Sequence, residues 1–445
     1  MRASAMGKPS EPGTSKLLLL TTTTGYQTRA FVAAAKKLGL AIVFGSDRCD
    51  KLDDPWQDQA LPLKFHEPED AAARVAEYAR ANGVAAIVAI GDRPTPVAAR
   101  ACAALGMPSH PAQAADLCRD KHRSRQRLRE AGLLMPRFQR FPLSRFPLPS
   151  DTEQIFSSPA FDVGFPCVLK PLALSGSRGV IRADDPEAAV RAFERIRALL
   201  KKPDVRVLRD EASDFIQAEE YIPGVEVALE AVMDRGRLHP LALFDKPEPL
   251  AGPFFEETIY VTPSRRSPAE QTAIVRTLEK CVAALGLTHG PVHAEFRLNE
   301  KGVYPLEIAA RSIGGLCARA LRFKLPLVEE EMSLEEVVIR LAMGMDTRRV
   351  VRETQAAGVM MIPISEGGVF QGVEGLVEAR AVAGIDSIEI TAQPARKLVP
   401  LPEGASYLGF VFAFGKSPEF VESALRQAHG RLTFRVAAEI PVLRG

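Results

Sequence analysis

From residue 15 to residue 112 the chain alternates between continuous apolar runs and amphipathic ones. "KLLLLT" reads as a strand, "TTTGYQ" as a loop, "TRAFVAAAKKLG" as a helix closed by glycine, and "LAIVFGSD" as a second strand. "EDAAARVAEYARANG" has the helical period, "VAAIVAIGD" is another uninterrupted apolar strand, and "TPVAARACAALG" another helix. Strands apolar on both sides, set between helices, belong to a parallel sheet covered on both faces. Residues 15–112 are therefore expected to be a small doubly wound α/β domain. Residues 1–14, small, polar and rich in Gly and Pro, read as disordered.

A different pattern follows the proline-rich "FPLSRFPLPS" (141–150). "FPCVLKPL" is a strand carrying Lys170, "ALSGSRG" a glycine-containing turn, and "VIRADD" a returning strand. Asp184, Asp185 and Pro186 then open the helix "PEAAVRAFERIRALL". "DFIQAEEYIPG" is a further strand. "VEVALEAVMDRGRLHPLALFDKP" is a hairpin turning at Asp234-Arg235-Gly236, and "PVHAEFRL" and "VYPLEIA" form another across "NEKG". The middle is thus α+β, over residues 113–340 with a lid at about 160–225. Short strands (GVMMIPI, SIEITA, YLGFVFAFG, RLTFRV) and a helix at 417–429 make residues 341–445 a compact terminal sub-domain.

Length and composition narrow the function classes. The chain of 445 residues can form two or three domains with substantial cores. Its 57 basic and 55 acidic residues give a net charge of +2, so no global field favours nucleic acid or an anionic membrane. The densest basic stretch, "RDKHRSRQRLR", scatters its charges round a helix and reads as a solvated face. Cys49, Cys102, Cys118, Cys167, Cys281 and Cys317 are far apart with no CxxC pair, which argues against zinc and disulfides and fits a reducing cytosol. "KLLLL" is too short for a membrane span and lacks a cleavage pattern, so a cytoplasmic protein is expected.

The candidate chemistry is modest piece by piece. "TTTTGYQ" or Asp47 could meet a nucleotide, but GxGxxG is absent, and a scaffold bordering a substrate cleft is the simpler reading. Lys170 before a Gly/Ser-rich turn is a way to offer ammonium and N–H groups to phosphate; alone it is better read as a snorkelling edge lysine. Lys121 alone reads as a surface lysine, and "QAEEYIPGVEV" as a solvated strand end. Glu295 and Glu307 lie on neighbouring strands, where buried carboxylates need compensation from a metal or from Arg297 or Arg311.

Taken in order, Lys121, Lys170 with "ALSGSRG", "EEYIPGVE", and Glu295 with Glu307 resemble the ATP-grasp superfamily over roughly residues 16–445. The resemblance implies that Lys121 and Lys170 neutralise ATP phosphates and that Ser175, Gly176 and Ser177 close over the γ-phosphate. It places adenine at the backbone of Glu220 and Ile222, with Tyr221 between them in the nucleotide site, Glu219 near the adenine amino group, and the ribose at Glu226. Glu295 and Glu307 would be Mg²⁺ ligands, with Mn²⁺ an allowed substitute, as hard cations require oxygen donors. Ala309 stands where many relatives carry a further asparagine ligand.

"EIAAR" with "SIGG" is similar to the L-amino-acid ligase branch, in which the arginine, here Arg311, reaches the substrate carboxylate or acyl phosphate. "FDKPEPLAGPFFEETIYVTPS" is similar too, although Tyr260-Val261-Thr262 replaces the branch's histidine before "PS". The implied activity is an ATP-dependent carboxylate–amine ligase that makes an acyl phosphate and releases ADP and phosphate, with Arg311 and Lys170 as catalytic residues. Its implied partners are small carboxylates and amines, amino acids among them, with a homodimer left open. An ATP-grasp carboxylase, a non-catalytic ATP-binding protein and an NAD-dependent reductase are the rival readings.

Overall fold

A computed structural model describes residues 15–22, 26–47, 60–146, 149–326 and 331–438. Residues 1–14, Cys49 and part of the "TTTTGYQ" loop lie outside these, so the expectations placed on them meet no structure.

Strands β1 (Lys16–Thr21), β2 (Ala41–Ser46), β3 (Leu61–Pro62) and β4 (Val84–Ile90) form a parallel sheet in the order β3-β2-β1-β4. Helices α1 (Thr28–Lys37), α2 (Pro68–Asn82) and α3 (Thr95–Leu105) are those the pattern predicts. The continuous leucine run now has its reason. Leu18 and Leu20 pack beneath α2 and α3, while Leu17 and Leu19 face α1 on the other side. Successive side chains of a strand point to opposite faces, so a doubly covered strand must be apolar throughout.

Helices α4 (Ala112–Arg119) and α5 (Lys121–Glu130) lead out of this layer, and the Asp120 side chain caps α5 by accepting from the Arg123 N–H. The lid is an antiparallel sheet in the order β5-β8-β6-β7. It contains β5 (Phe138–Pro142), β6 (Cys167–Pro171), β7 (Ile181–Ala183) and β8 (Phe215–Glu220). Helices α6 (Pro149–Phe156), α7 (Pro186–Leu200) and the short α8 (Pro203–Arg206) accompany it, around a core rich in phenylalanine. The lid therefore starts earlier than residue 160, because β5 supplies its edge strand.

Eight strands make the central antiparallel sheet. Its first part is β9 (Val225–Asp234), β10 (Arg237–Lys246), β11 (Ile259–Thr262), helix α9 (Pro268–Leu285), β12 (Gly290–Asn299) and β13 (Gly302–Ala309). The β9–β10 turn is Arg235-Gly236, both in the left-handed region (φ +48° and +83°), the conformation whose twist matches a two-residue hairpin. A small ribbon of β14 (Phe323–Lys324) and β15 (Val351–Arg352) flanks α10 (Leu334–Ala342), whose Val338 and Ile339 cover the far face of the first sheet beside α1.

The terminal segment contributes β16 (Ala356–Ile362), β17 (Gly368–Glu374), α11 (Leu376–Arg380), β18 (Ile385–Ile390), β19 (Lys397–Leu398), β20 (Gly409–Gly415), α12 (Pro418–His429) and β21 (Thr433–Ala437). This segment is joined to the rest of the molecule through the sheet: β16, β20 and β18 extend the central sheet through β11, giving the order β13-β12-β9-β10-β11-β16-β20-β18. Pairing Ile259–Thr262 with residues 357–360 satisfies what would otherwise be an open apolar edge. Only β17, β19 and β21 form a sheet of their own. Among the described residues no helix is long and apolar enough to cross a membrane.

Candidate active site

The first-domain, lid and central sheets enclose a cavity of about 400 Å³, reached by every site residue the ATP-grasp resemblance singles out, whereas Asp47 lies outside it and pairs with Arg93 at 3.0 Å. One wall is cationic. Lys170, at the end of β6, is buried, and its ammonium lies 2.6 Å from Glu219 of β8. Arg125 of α5 reaches the same carboxylate with Nε–Oε1 at 3.0 Å and Nη2–Oε2 at 3.2 Å, and the Gln217 side chain donates to it at 2.7 Å. Burial would raise the Glu219 pKa, but Arg125 and Lys170 hold it down at about 2. Burial also lowers Lys170, to about 8, against the opposing pull of Glu219. Lys121 opens α5 and donates to the Leu174 carbonyl at 2.8 Å, beside the turn of Ser175, Gly176 and Ser177.

Arg125 overturns the expectation of a solvated basic helix. Its side chain is 4% exposed and also donates to the carbonyls of Pro305 and Leu306. Glu219, expected near adenine, spends its oxygens on Arg125, Lys170 and Gln217 and so fixes the lysine. Glu220 takes Arg137 at 3.3 Å, and the Ile222 carbonyl takes the Arg297 Nη1 at 2.8 Å. The Tyr221 ring lies beneath Arg182 and Arg297, whose guanidinium carbons are 4.2 and 5.2 Å from its centre.

The opposite wall follows from strand register. On β12, His293, Glu295 and Arg297 share the cleft face, while Val292, Ala294, Phe296 and Leu298 enter the core beneath α9. On β9, Glu226, Ala228 and Glu230 lie directly opposite Arg297, Glu295 and His293. Glu230 therefore meets His293, and Glu226 meets Arg297 at 3.0 Å. From β10, Lys246 stands opposite Glu226 and passes the small Ala228 to reach Glu295. Its ammonium sits 2.8 Å from Glu226, 2.7 Å from Glu257 and 2.8 Å from Glu295. Tyr260 donates to Glu257 at 2.8 Å.

These contacts set the charges. Burial raises Glu257 to about 7 despite Lys246. His293 would lose its proton to burial, but Glu230 and Glu295 lift its pKa to about 10. Burial opposes the charge on Glu295 as well, yet Lys246 and His293 keep it well below the usual carboxylate range.

Glu307 is the register partner of Glu295 across the β12–β13 hairpin, but its side chain turns to Arg311, 3.6 Å away. The expected metal pair is adjacent in the sheet without being the tightest oxygen set. Among the described residues Glu226, Glu257 and Glu295 are the group whose carboxylate oxygens lie within 4.8 Å of one another. Arg311 crosses to the first domain and grips Asp92, just past β4, with bonds of 2.6 and 3.2 Å. Glu226, expected at the ribose, is buried between Lys246 and Arg297.

Known proteins match along most of the length. Family models match as "ATP-grasp N-terminal domain" over residues 32–109, "ATP-grasp domain" over 163–320 and "L-amino acid ligase C-terminal domain 2" over 335–437. The chain belongs to the ATP-grasp superfamily. Alanine–anticapsin ligase of Bacillus subtilis (strain 168) is 27% identical over 307 residues, covering 64% of this ATP-grasp chain and 62% of that protein. Uncharacterized protein y4rH of Sinorhizobium fredii is 22% identical over 423 residues, 93% of this chain and 81% of that one. The match to alanine–anticapsin ligase thus spans less than two thirds of that relative's length. L-amino acid ligase from Bacillus licheniformis superposes with a TM-score of 0.74 at 24% identity, over 96% of this chain and 100% of that structure, which shows a common fold.

The sequence passed over Arg125, Lys246, Glu257, His293 and Asp92. His293 was available from strand period, lying two residues before Glu295 on the same face. Lys246 was available from the same period, two residues past Phe244 at the end of "PLALF", and Asp92 as a residue just past the carboxyl end of a parallel strand, where open α/β sheets present groups to ligands. Nothing in "KHRSRQRLRE" distinguishes Arg125 from its neighbours.

Proposed function

We propose that the chain is an ATP-dependent carboxylate–amine ligase, joining an acid and an amine through an acyl phosphate and releasing ADP and phosphate. The observation that carries this reading is the polarity of this cavity. On its lid side Lys121, Arg125 and Lys170 outnumber the two carboxylates, Glu219 and Glu220, of which Glu220 is already paired with Arg137, and this suits a polyphosphate. Across from it five carboxylates border the cavity (Asp92, Glu226, Glu257, Glu295, Glu307), with a sixth, Glu230, buried against His293, and they meet four cations (Lys246, His293, Arg297, Arg311).

That excess of oxygen charge fits a hard divalent cation. Glu295 and Glu307, paired in register and facing the cavity, would hold Mg²⁺, with Glu257 and Glu226 close enough to Glu295 to share in it. The ion would supply charge neutralisation at the transferred phosphoryl group. Lys170, fixed by Glu219, and Lys121, fixed beside the glycine turn, orient and neutralise the phosphates. Glu220, Tyr221 and Ile222 border the base, beside the aromatic and guanidinium stack, and Glu226 borders the ribose.

In the first step a carboxylate oxygen of the acid bonds to the γ-phosphorus as the bond to ADP breaks. In the second, the amine nitrogen bonds to the acyl carbon and phosphate leaves. Arg311, held in orientation by Asp92, stabilises the acid side in both. Alanine–anticapsin ligase, by its name, takes alanine and anticapsin, which supports amino acids as the substrates here. A screen of amino-acid pairs for phosphate release tests the reading. Release that requires both partners is expected; ATP binding without release on any pair would contradict it.

A further inference from the structure

The downstream end of the glycine turn is fastened from the far side of the molecule. Gly179 donates its N–H to the Pro402 carbonyl at 2.8 Å, and Arg178 Nε donates to the Glu403 carbonyl at 2.9 Å. The Glu403 carboxylate takes Arg195 of α7 in a two-bond fork of 2.5 and 2.9 Å. The position admits only glycine: at φ +78°, an added Cβ would meet Pro171 at 2.9 Å and Leu199 at 3.1 Å. The same segment that carries Pro402 and Glu403 continues directly into Ala405 and Tyr407, which wall the cavity.

An ion pair this exposed, with Arg195 at 45% and Glu403 at 24%, contributes little to stability. Its place is more telling than its strength, because it ties α7 of the lid to the same segment that receives the turn's Gly179 and Arg178 bonds and walls the substrate end. We propose that Glu403 is a positioning residue: through Arg195 and the neighbouring backbone bonds it clasps the Ser175–Gly179 turn to the 402–407 segment, so that closing the lid and assembling the substrate wall are one event. The inference rests on the ligase reading for its consequence. With the clasp open, water enters and competes with the amine. A water oxygen then bonds to the acyl carbon, the bond to phosphate breaks, and the free acid returns with ADP formed and no amide.

The test uses the full chain with Glu403→Arg, Arg195→Glu and the two together. Hydrogen exchange at the Gly179 amide reads the clasp without turnover: the single variants should exchange about tenfold faster or more, and the double swap should restore protection. In turnover, ADP formed per amide should rise from about one to roughly three or more in the single variants, and return in the swap, with ATP affinity changed less than about twofold. Unchanged exchange, a ratio that stays near one, or a swap that restores neither would overturn the proposal. If the unaltered protein makes no amide, the ligase reading fails, and the exchange result decides the clasp by itself.

Discussion

The guanidinium of Arg311 and the carboxylate of Asp92 join the central sheet to the first domain by a fork of 2.6 and 3.2 Å, at the rim of the cavity. The two residues are 219 positions apart in sequence, so the fork exists only once the central sheet and the first domain are docked. The fork presents the remaining face of Arg311 to the cleft in one orientation, which a point charge on a flexible stem would not.

Arg311→Ala is therefore expected to leave ATP affinity nearly unchanged and to lower kcat/KM for the acid by roughly ten- to a hundredfold, the range of a lost charge-assisted bond. Lysine should rescue little. Calorimetric ATP binding beside steady-state rates checks this, and a loss of ATP affinity would place Arg311 on the nucleotide side instead.

Much of this arrangement was legible in the sequence. The continuous apolar strands declared the first sheet, and the glutamates of "PVHAEFRL" and "VYPLEIA" do face one another as Glu295 and Glu307. What escaped was whatever only tertiary register creates. Ala228 matters because its smallness lets Lys246 reach Glu295 across β9. Arg125 is indistinguishable from its basic neighbours until the helix docks against Glu219. The strand "GVFQGVE" (β17) was missed because its glycines lower strand propensity, an effect outweighed here by pairing with β19 and β21.

Lys170→Met should weaken ATP binding by roughly 1.5–3 kcal/mol, one charge-assisted contact. With its pKa lowered to about 8, Lys170 is already charged below that pH, so affinity should be flat there. Above it, binding must take up a proton, and affinity should fall by up to about tenfold per pH unit. Calorimetry across pH checks both, and Lys170→Met should lose the pH dependence.

Arg125→Met should destabilise the protein by roughly 3–5 kcal/mol at neutral pH, because it strips a buried carboxylate of its fork. Glu219, held at about 2 against an ordinary 4.5, contributes stability that is present above pH 4.5 and lost as pH falls towards 2. Melting curves of both proteins should therefore converge on acidification, and Glu219→Gln added to Arg125→Met should recover part of the loss at neutral pH.

Glu307→Gln should remain folded yet lose Mg²⁺-dependent turnover and bind Mn²⁺ at least about tenfold more weakly in the presence of nucleotide. If Glu307 serves only as the partner of Arg311, the variant would stay active with a stability change of about 1 kcal/mol or less.

The central claim is that the acid's own oxygen attacks the γ-phosphate. Supplying an acid whose carboxylate carries heavy oxygen, with ATP and an amine, and weighing the products by mass spectrometry tests it directly. The account predicts ADP, and inorganic phosphate carrying one labelled oxygen for each amide made. AMP with pyrophosphate, or amide formation with unlabelled phosphate, would contradict it.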